Sequence, residues 1–309
     1  MIPLEKHKGE CASVYSGLYK RWEDFNTPIY KANKEGIRSV SEFQQAINNL
    51  RYAEKLDPKI PEFVYRGEGK TYKTYLQPVI IRRCHNLSPL KKGNHITSKE
   101  VNEIYRFQRS NTGKSFAKYI SEEAVDWAHL TQHYWEEGDY LTRLLDVTKN
   151  ELVALYFACY NKKYFDQDGW VFIFPRDSYR PQTKPLDSIT WKDIEQGIPN
   201  SYFELYEDNE KQELPHNVPV LYEPIASPKL VDVDKRLKAR LGAFIWWHPL
   251  VELNKQSYFC VLICGEAKKQ IKKELFQQFN IYNGSLFPRN SALINHLEKT
   301  ICWIRYHLN

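Results

Sequence analysis

The chain has 309 residues, 42% of them hydrophobic and 27% charged, which is the composition of an ordinary globular protein. Its 44 basic and 38 acidic side chains leave a net charge of +6, which falls short of the basic surface of a nucleic-acid-binding protein. The apolar stretches are far shorter than the roughly 20 residues of a membrane-spanning helix, and the first residues lack the apolar core of a secretory signal. We therefore expect a cytoplasmic protein that makes no contact with a membrane.

Six cysteines are spread along the chain without a Cys-x-x-Cys pair. Zinc sites and small disulfide frameworks both depend on characteristic cysteine spacings. We therefore expect reduced thiols, and the sequence predicts no metal site.

The first predicted elements are a helix and a short strand that ends at a glycine. Behind a serine cap at Ser41, apolar residues recur three and four positions apart, which is typical of an amphipathic helix. Residues 62–67 are rich in side chains that favour strands, and Gly67 and Gly69 end the run. Arg66 is therefore expected at the end of a strand, beside two glycines.

Two helices are predicted next. Thr97 and Glu100 have the spacing of a capping box, which predicts a helix that begins there. Ser121 and the two glutamates after it predict the start of a second helix, which carries His133 near its end. His129 lies one turn earlier on the same face, and we interpret it as a packing residue.

The middle of the chain combines an extended segment, a buried helix and a strand. Residues 141–146 are predicted to be extended. Thr148 or Asn150 is the expected cap of a helix at 151–159, which is apolar on nearly every side and should therefore be buried. Residues 170–175 predict a strand that follows a tight turn.

The remaining elements follow from the same patterns. Residues 176–230 contain many prolines and are assigned mainly to loops and short helices. Strands are predicted at 243–248 and 257–264, followed by a helix at 268–279 and a last element from 291 to the end.

Three motifs resemble the bacterial FRG domain, a family named for its aromatic-Arg-Gly sequence. The first is Tyr65-Arg66-Gly67-Glu68, the second spans 128–134, and the third spans 142–148 together with the apolar segment 154–158. The resemblance covers about residues 40 to 290, because two later segments are similar to the tail of the family. Those tail segments are 236–244 and 285–288.

The resemblance implies a domain organisation. We expect an N-terminal extension at 1–40, an FRG-like domain at 41–290, and a C-terminal element of the same domain at 291–309. The chain also departs from the usual pattern of the family. Extra residues precede Leu141, Leu141 and Val147 stand in place of Pro and Trp, and Glu68 and Arg240 each occupy a position where Gln is common.

The layout of this family is similar to that of ADP-ribosyltransferases. The resemblance therefore implies an α+β fold, a single domain with a mixed, split central sheet flanked by helices, and NAD as the substrate. In such enzymes the strand arginine holds the phosphates or ribose of NAD, because a guanidinium offers a planar fork of donors to oxyanions. Arg66 is the matching residue. The expected C-terminal glutamate is not evident, since segment 240–244 carries no acid and Glu266 ends a different strand.

The resemblance also assigns roles to individual residues. Arg66 and His133 are the expected catalytic residues. The expected contacts to NAD are Tyr65, Arg66, Gly67, Tyr134, Thr142, Arg143 and Thr148, and the expected structural supports are Glu68 and Asp146.

The residues by themselves leave alternatives open. Arg66 could form a buried ion pair with Asp146 or Glu68 instead of binding an anion, or do both. His133 could bond a ribose hydroxyl, move a proton or only pack. Asp146 could cap the following helix or hold Arg66 in place. Arg143 precedes two leucines that are expected in the core, so its charge should meet a partner at the sheet edge.

Two functions remain in competition. The first is an NAD-dependent ADP-ribosyltransferase-like enzyme, a bacterial toxin or antiphage effector that modifies a protein or a nucleic acid. The second is a non-catalytic module of a defence or toxin–antitoxin system that recognises a nucleotide or phosphate in the same pocket. A nuclease is disfavoured, because neither an acidic metal cluster nor a suitably spaced histidine pair is evident. The sequence leaves the acceptor and the oligomeric state open.

Overall fold

The computed structural model describes most of the regular elements of the chain. The described residues are 18–19, 36–54, 63–72, 76, 78–80, 89–117, 124–134, 142–176, 220–222, 234–246 and 258–288. The predicted element from 291 onward, and nearly all of the segment 176–230, lie outside them.

Among the described residues, seven strands form one sheet in the order β1-β7-β4-β2-β3-β6-β5, with β2 and β3 near its centre. The strands are β1 (Leu18–Tyr19), β2 (Phe63–Glu68), β3 (Leu144–Thr148), β4 (Gly169–Pro175), β5 (Val220–Tyr222), β6 (Gly242–Trp246) and β7 (Phe259–Ile263). Neighbouring strands in this sheet are all antiparallel. The predicted α+β single domain is confirmed in this coarse form.

The expected mixed sheet is wrong for the described strands. Strands β3 and β4 are joined by a helix and run in the same direction, as in a parallel crossover unit. They do not pair with each other, however, because β2 lies between them and is antiparallel to both. The junction of β2 and β3 is narrow, since it has one paired position, Tyr65 with Thr148, where β2 and β4 have six.

The helices within the described ranges pack around this sheet. They are α1 (Val40–Glu54), α2 (Pro89–Arg109), α3 (Asn111–Phe116), α4 (Ala124–Tyr134), α5 (Glu151–Ala158), α6 (Lys235–Arg240), α7 (Lys268–Phe279) and α8 (Asn283–Leu286). Helix α7 has the predicted limits. Asn150 is the cap of α5, because its side chain accepts from the backbone N–H groups of Leu152 and Val153.

The predicted capping box at Thr97 is wrong. Helix α2 begins eight residues earlier, at Pro89, and Thr97 lies inside it. Proline suits the first position of a helix, since the N–H that it lacks would have no partner there. Glu100 therefore does not cap this helix, and its carboxylate accepts a hydrogen bond from Arg143 instead.

Both faces of the sheet are buried. One face packs against α1, α5 and α7, which contribute Phe43, Leu155 and Ile271 to the core on that side. The opposite face includes Trp170 and Ile245. Burial on both sides agrees with the nearly continuous apolar sequence of β4 and β7. The described helices include none that combines the length and the apolar character of a membrane-crossing segment.

Candidate functional site

A cavity of about 220 Å³ opens beside the junction of β2 and β3, and part of β6 forms another wall. Six residues that the sequence assigned to the site line it. They are Tyr65, Arg66, Gly67, His133, Asp146 and Thr148. Phe157, Arg240 and Phe244 lie in the wall as well. The cavity thus collects side chains from three strands, the end of α4, α5 and the end of α6.

Arg66 is held at two of its three guanidinium nitrogens. Its Nε donates to Glu68 Oε1 at 3.0 Å, and its Nη1 donates to the backbone oxygen of Asp146 at 2.8 Å. Within the described part of the chain, Nη2 makes no hydrogen bond. The side chain is 17% exposed and borders the cavity. Arg66 therefore forms a structural ion pair with Glu68 and also lines the cavity, and its binding of an anion there stays a prediction.

Glu68 and Asp146 support Arg66 in different ways. The Glu68 carboxylate is buried, and in the described structure its Oε2 has no hydrogen-bond partner. Asp146 contributes its backbone carbonyl to Arg66, whereas its carboxylate is 51% exposed. The Asp146 carboxylate is consequently available to a ligand in the cavity.

His133 places its imidazole between two carboxylates. Its Nδ1 lies 2.6 Å from Asp234 Oδ2, and its Nε2 lies 3.6 Å from Asp146 Oδ1 on the cavity side. Burial by itself lowers the pKa of His133, but the two carboxylates outweigh burial and raise it. Asp146 responds in the opposite direction: partial loss of hydration beside the protein disfavours its charge, yet His133, with smaller contributions from two arginines, brings its pKa to about 2. The opposite charges of the two groups therefore stabilise each other.

Asp234 is a fully buried carboxylate that accepts five hydrogen bonds. Oδ2 accepts from His129 Nε2 and His133 Nδ1, both at 2.6 Å. Oδ1 accepts from the Tyr134 hydroxyl and from two backbone N–H groups at the start of α6. Burial disfavours the ionised form, but the two imidazoles outweigh it, and the pKa of Asp234 is well below its usual range. Burial lowers the pKa of His129, which is therefore neutral.

Arg240 adds a second guanidinium to the cavity wall. Its Nε donates to the backbone oxygen of Leu286 at 3.0 Å, and the guanidinium lies 4.2 Å from the centre of the Phe287 ring. Burial lowers its pKa in spite of the nearby Asp146. The arrangement places two arginines and His133 around a single exposed carboxylate, so the cavity favours an anionic ligand.

The family model of the FRG domain matches residues 61–167. This segment is an FRG domain. It supplies Arg66, His133 and Asp146, whereas Asp234 and Arg240 come from the chain beyond it. The chain matches no curated protein and no solved structure. The wider limits of 41–290 stay a prediction.

The FRG segment does not bring every predicted residue to the cavity. Thr142 donates to the side chain of Gln132, and Tyr134 donates to Asp234 at 2.9 Å. Neither lines the cavity. Thr148 does line it, but its hydroxyl donates to the backbone oxygen of Arg240, which joins β3 to the end of α6.

The position of Arg143 differs most clearly from the one predicted from the sequence. The side chain is 1% exposed and lies in the interior, not at the sheet edge or in the cavity. Glu100 of α2 accepts from the Arg143 backbone N–H at 2.8 Å and from its Nε at 2.5 Å. A guanidinium enclosed in this way beside a buried carboxylate cannot reach a ligand in the cavity, so the structure gives Arg143 a structural position.

Glu100→Gln is expected to lower the free energy of unfolding by about 3–5 kcal/mol, because the buried Arg143 loses the carboxylate that neutralises its charge. Chemical denaturation monitored by circular dichroism measures this loss. Glu266→Gln is the matched control, since its carboxylate is 84% exposed and pairs with Arg38 at 3.7 Å. The control should change stability by less than about 1 kcal/mol. Equal stability of the two variants would contradict the assignment.

Neither Asp234 nor Arg240 was predicted from the sequence to take part in the site. The spacing of His129 and His133 was a usable signal, since residues four apart lie on one helix face. No nearby residue, however, indicates that both histidines share Asp234, which lies 101 residues after His133 at the start of α6. His129 is more than a packing residue, because its ring bonds Asp234.

His129, His133 and Asp234 are close enough to hold a metal ion. Hydrogen bonding explains the cluster better. A histidine that binds metal through one nitrogen carries its proton on the other, and that N–H normally has a partner. In the described structure, His129 Nδ1 is buried without one. At His129 Nδ1, an unpaired lone pair costs less free energy than an unpaired N–H would. We therefore place the proton of His129 on Nε2, where it donates to Asp234.

Proposed function

We propose that the cavity binds the phosphate-bearing part of a nucleotide, and that the protein is an NAD-consuming, ADP-ribosyltransferase-like enzyme. The observation that carries this proposal is the arrangement of Arg66. Arg66 lines the cavity, and two of its three guanidinium nitrogens are fixed by Glu68 and the carbonyl of Asp146. A preorganised guanidinium binds a phosphate oxygen without first having to be ordered. Arg240, in the same wall, offers a second positive charge.

The carboxylate that the chemistry requires is Asp146. Cleavage of NAD breaks the bond between ribose C1′ and the nicotinamide nitrogen, and the bonding electron pair leaves with neutral nicotinamide. The sugar then resembles an oxocarbenium ion, which a nearby carboxylate stabilises. Asp146 is half-exposed to the cavity and has a pKa of about 2, so it carries the charge for this role. It takes the place of the glutamate that the sequence did not supply.

His133 completes the reaction. An acceptor oxygen that attacks C1′ has to lose a proton, and the neutral form of the His133 imidazole, on the cavity side, can take it. The acceptor is a protein or a nucleic acid in such an enzyme, and water serves in its absence. An ADP-ribosyltransferase-like fold and a role as a toxin or antiphage effector belong to this proposal.

The size of the cavity favours a second candidate function, the recognition of a nucleotide or phosphate without catalysis. A volume of about 220 Å³ is below the roughly 300–1,000 Å³ of usual ligand pockets. It accommodates a phosphate or a phosphorylated ribose, and the rest of a dinucleotide would lie outside. A non-catalytic module that recognises a nucleotide or phosphate needs no more than this.

Nicotinamide release distinguishes the two candidates. Incubation of the purified protein with NAD, followed by chromatography, is expected to yield nicotinamide. Asp146→Asn should reduce the rate by about 10²-fold or more, because the transition state loses a fixed negative charge. The matched control is Asp166→Asn, which removes an acid from an exposed turn and should leave the rate unchanged. Calorimetric binding of ADP-ribose without any release would support the recognition module, and the absence of both would reject the pocket.

A further inference from the structure

We propose that Asp234 is the positioning residue of His133: its enclosed carboxylate holds the imidazole with the proton on Nδ1 and directs Nε2 into the cavity as the atom that accepts and returns a proton. This inference rests on the proposed function for its catalytic meaning. The geometry of the ring is independent of it.

The tautomer of His133 follows from its partners. An ionised carboxylate can only accept hydrogen bonds, so the contact of 2.6 Å between Asp234 Oδ2 and His133 Nδ1 requires the proton to lie on Nδ1. In the neutral ring, Nε2 then carries the lone pair. Nε2 is also the nitrogen on the side of Asp146 and the cavity. The ring therefore presents a base to the cavity, and the protonated ring presents an acid.

Asp234 is itself fixed at both oxygens. Oδ1 accepts from the backbone N–H groups of Arg236 and Leu237 at 2.9 and 3.0 Å, and from the Tyr134 hydroxyl at 2.9 Å. This leaves Oδ2 for the two imidazoles. The carboxylate cannot rotate without breaking five hydrogen bonds in a site with no access to water, so it orients His133 rigidly.

Two more contacts restrict the ring. His129 packs against His133 edge to face, with 4.7 Å between the ring centres. The ring of Phe244, in β6, lies 5.4 Å from the His133 ring, centre to centre, and Phe244 borders the cavity. The Arg236 Nη1 donates to the backbone oxygen of His133 at 2.6 Å, which holds the end of α4 against α6. Among the described residues, the charged and titratable groups that contact His133 or share its cavity wall are Asp234, His129, Tyr134, Asp146, Arg66, Arg240 and Arg236.

Asp234→Asn should reverse the tautomer. The amide oxygen has to occupy the Oδ1 position, because two backbone N–H groups and the Tyr134 hydroxyl donate there. The amide NH₂ then stands where Oδ2 was and donates toward His133 Nδ1. The ring consequently moves its proton to Nε2 and no longer offers a base to the cavity. Carboxylate-to-amide changes at such positions reduce turnover by about 10⁴-fold in enzymes that use a buried acid in this way.

Nitrogen-15 NMR of the imidazole rings tests this directly, with His133→Gln used to assign the signals. At a pH where His133 is neutral, the unaltered protein should show the Nδ1–H form and Asp234→Asn the Nε2–H form. Tyr134→Phe is the matched control, since it removes one bond from Oδ1 and should leave the Nδ1–H form. An Nε2–H form in the unaltered protein overturns the proposal, even if the asparagine variant does not fold.

The activity of the same variants separates this inference from the proposed function. If nicotinamide is released, Asp234→Asn should lower kcat by about 10³-fold or more with little change in KM, because the base acts on the reaction and not on ground-state binding. An unchanged kcat would overturn the positioning role. If no nicotinamide is released but the tautomers are as expected, the proposed function fails, while Asp234 still orients His133.

Discussion

Arg66→Ala is expected to abolish measurable binding of ADP-ribose, and it should also destabilise the fold. Loss of a charge-assisted contact to phosphate costs about 2–5 kcal/mol, which is roughly 30-fold or more in the dissociation constant. The same change leaves the buried Glu68 carboxylate without the cation that neutralises it, at a cost of about 3–5 kcal/mol in stability. Isothermal titration calorimetry and chemical denaturation measure the two effects.

A double variant separates binding from stability. In Arg66→Ala with Glu68→Gln, the buried charge is removed together with its partner, so much of the lost stability should return while binding stays lost. Arg66→Lys should keep the charge but bind weakly, since an ammonium lacks the planar fork. Arg106→Ala, at a side chain that is 61% exposed, is the control for a general loss of positive charge. Normal affinity in the double variant would remove Arg66 from the site.

The local elements were largely accessible from the sequence. The apolar β-forming runs at 62–67 and 170–175 are strands, and the periodic segment at 268–279 is a helix with the predicted limits. The order of the strands was not accessible, because pairing depends on contacts between distant segments. The three-residue strand β5 was missed for a related reason, since it is too short to show a pattern of its own.

The candidate site likewise has residues that the sequence predicts and residues that only the tertiary structure reveals. Arg66, His133 and Asp146 stand in motifs, and the structure brings all three to one cavity. Asp234 has the local sequence signature of a helix cap, and it does cap α6. The neighbouring sequence therefore does not predict its bonds to His129 and His133. The sequence around Arg143 shows a charge next to two leucines, but it does not show that Glu100 lies opposite. Tertiary partners therefore decided which charged residues face the cavity.

Gly67→Ala is expected to cause a large loss of stability. A Cβ at this position would lie 1.9 Å from the backbone oxygen of Ala154 and 2.6 Å from the backbone nitrogen of Ala158, so β2 and α5 would have to separate. Backbone atoms cannot move aside as a side chain can. The cost should reach about 3 kcal/mol or more, the upper range for overpacking a core. Urea denaturation followed by circular dichroism measures it as a lower midpoint.

Gly69→Ala is the matched control two residues away. There a Cβ would meet the Tyr164 ring at 3.4 Å and the Ala158 oxygen at 3.8 Å, both ordinary contacts. Its stability should stay within about 0.5 kcal/mol of the unaltered protein. Since α5 carries Phe157 into the cavity wall, Gly67→Ala should also weaken ligand binding, whereas Gly69→Ala should not. If both variants unfold at the same urea concentration, close packing of β2 on α5 is not the reason for glycine in the aromatic-Arg-Gly motif.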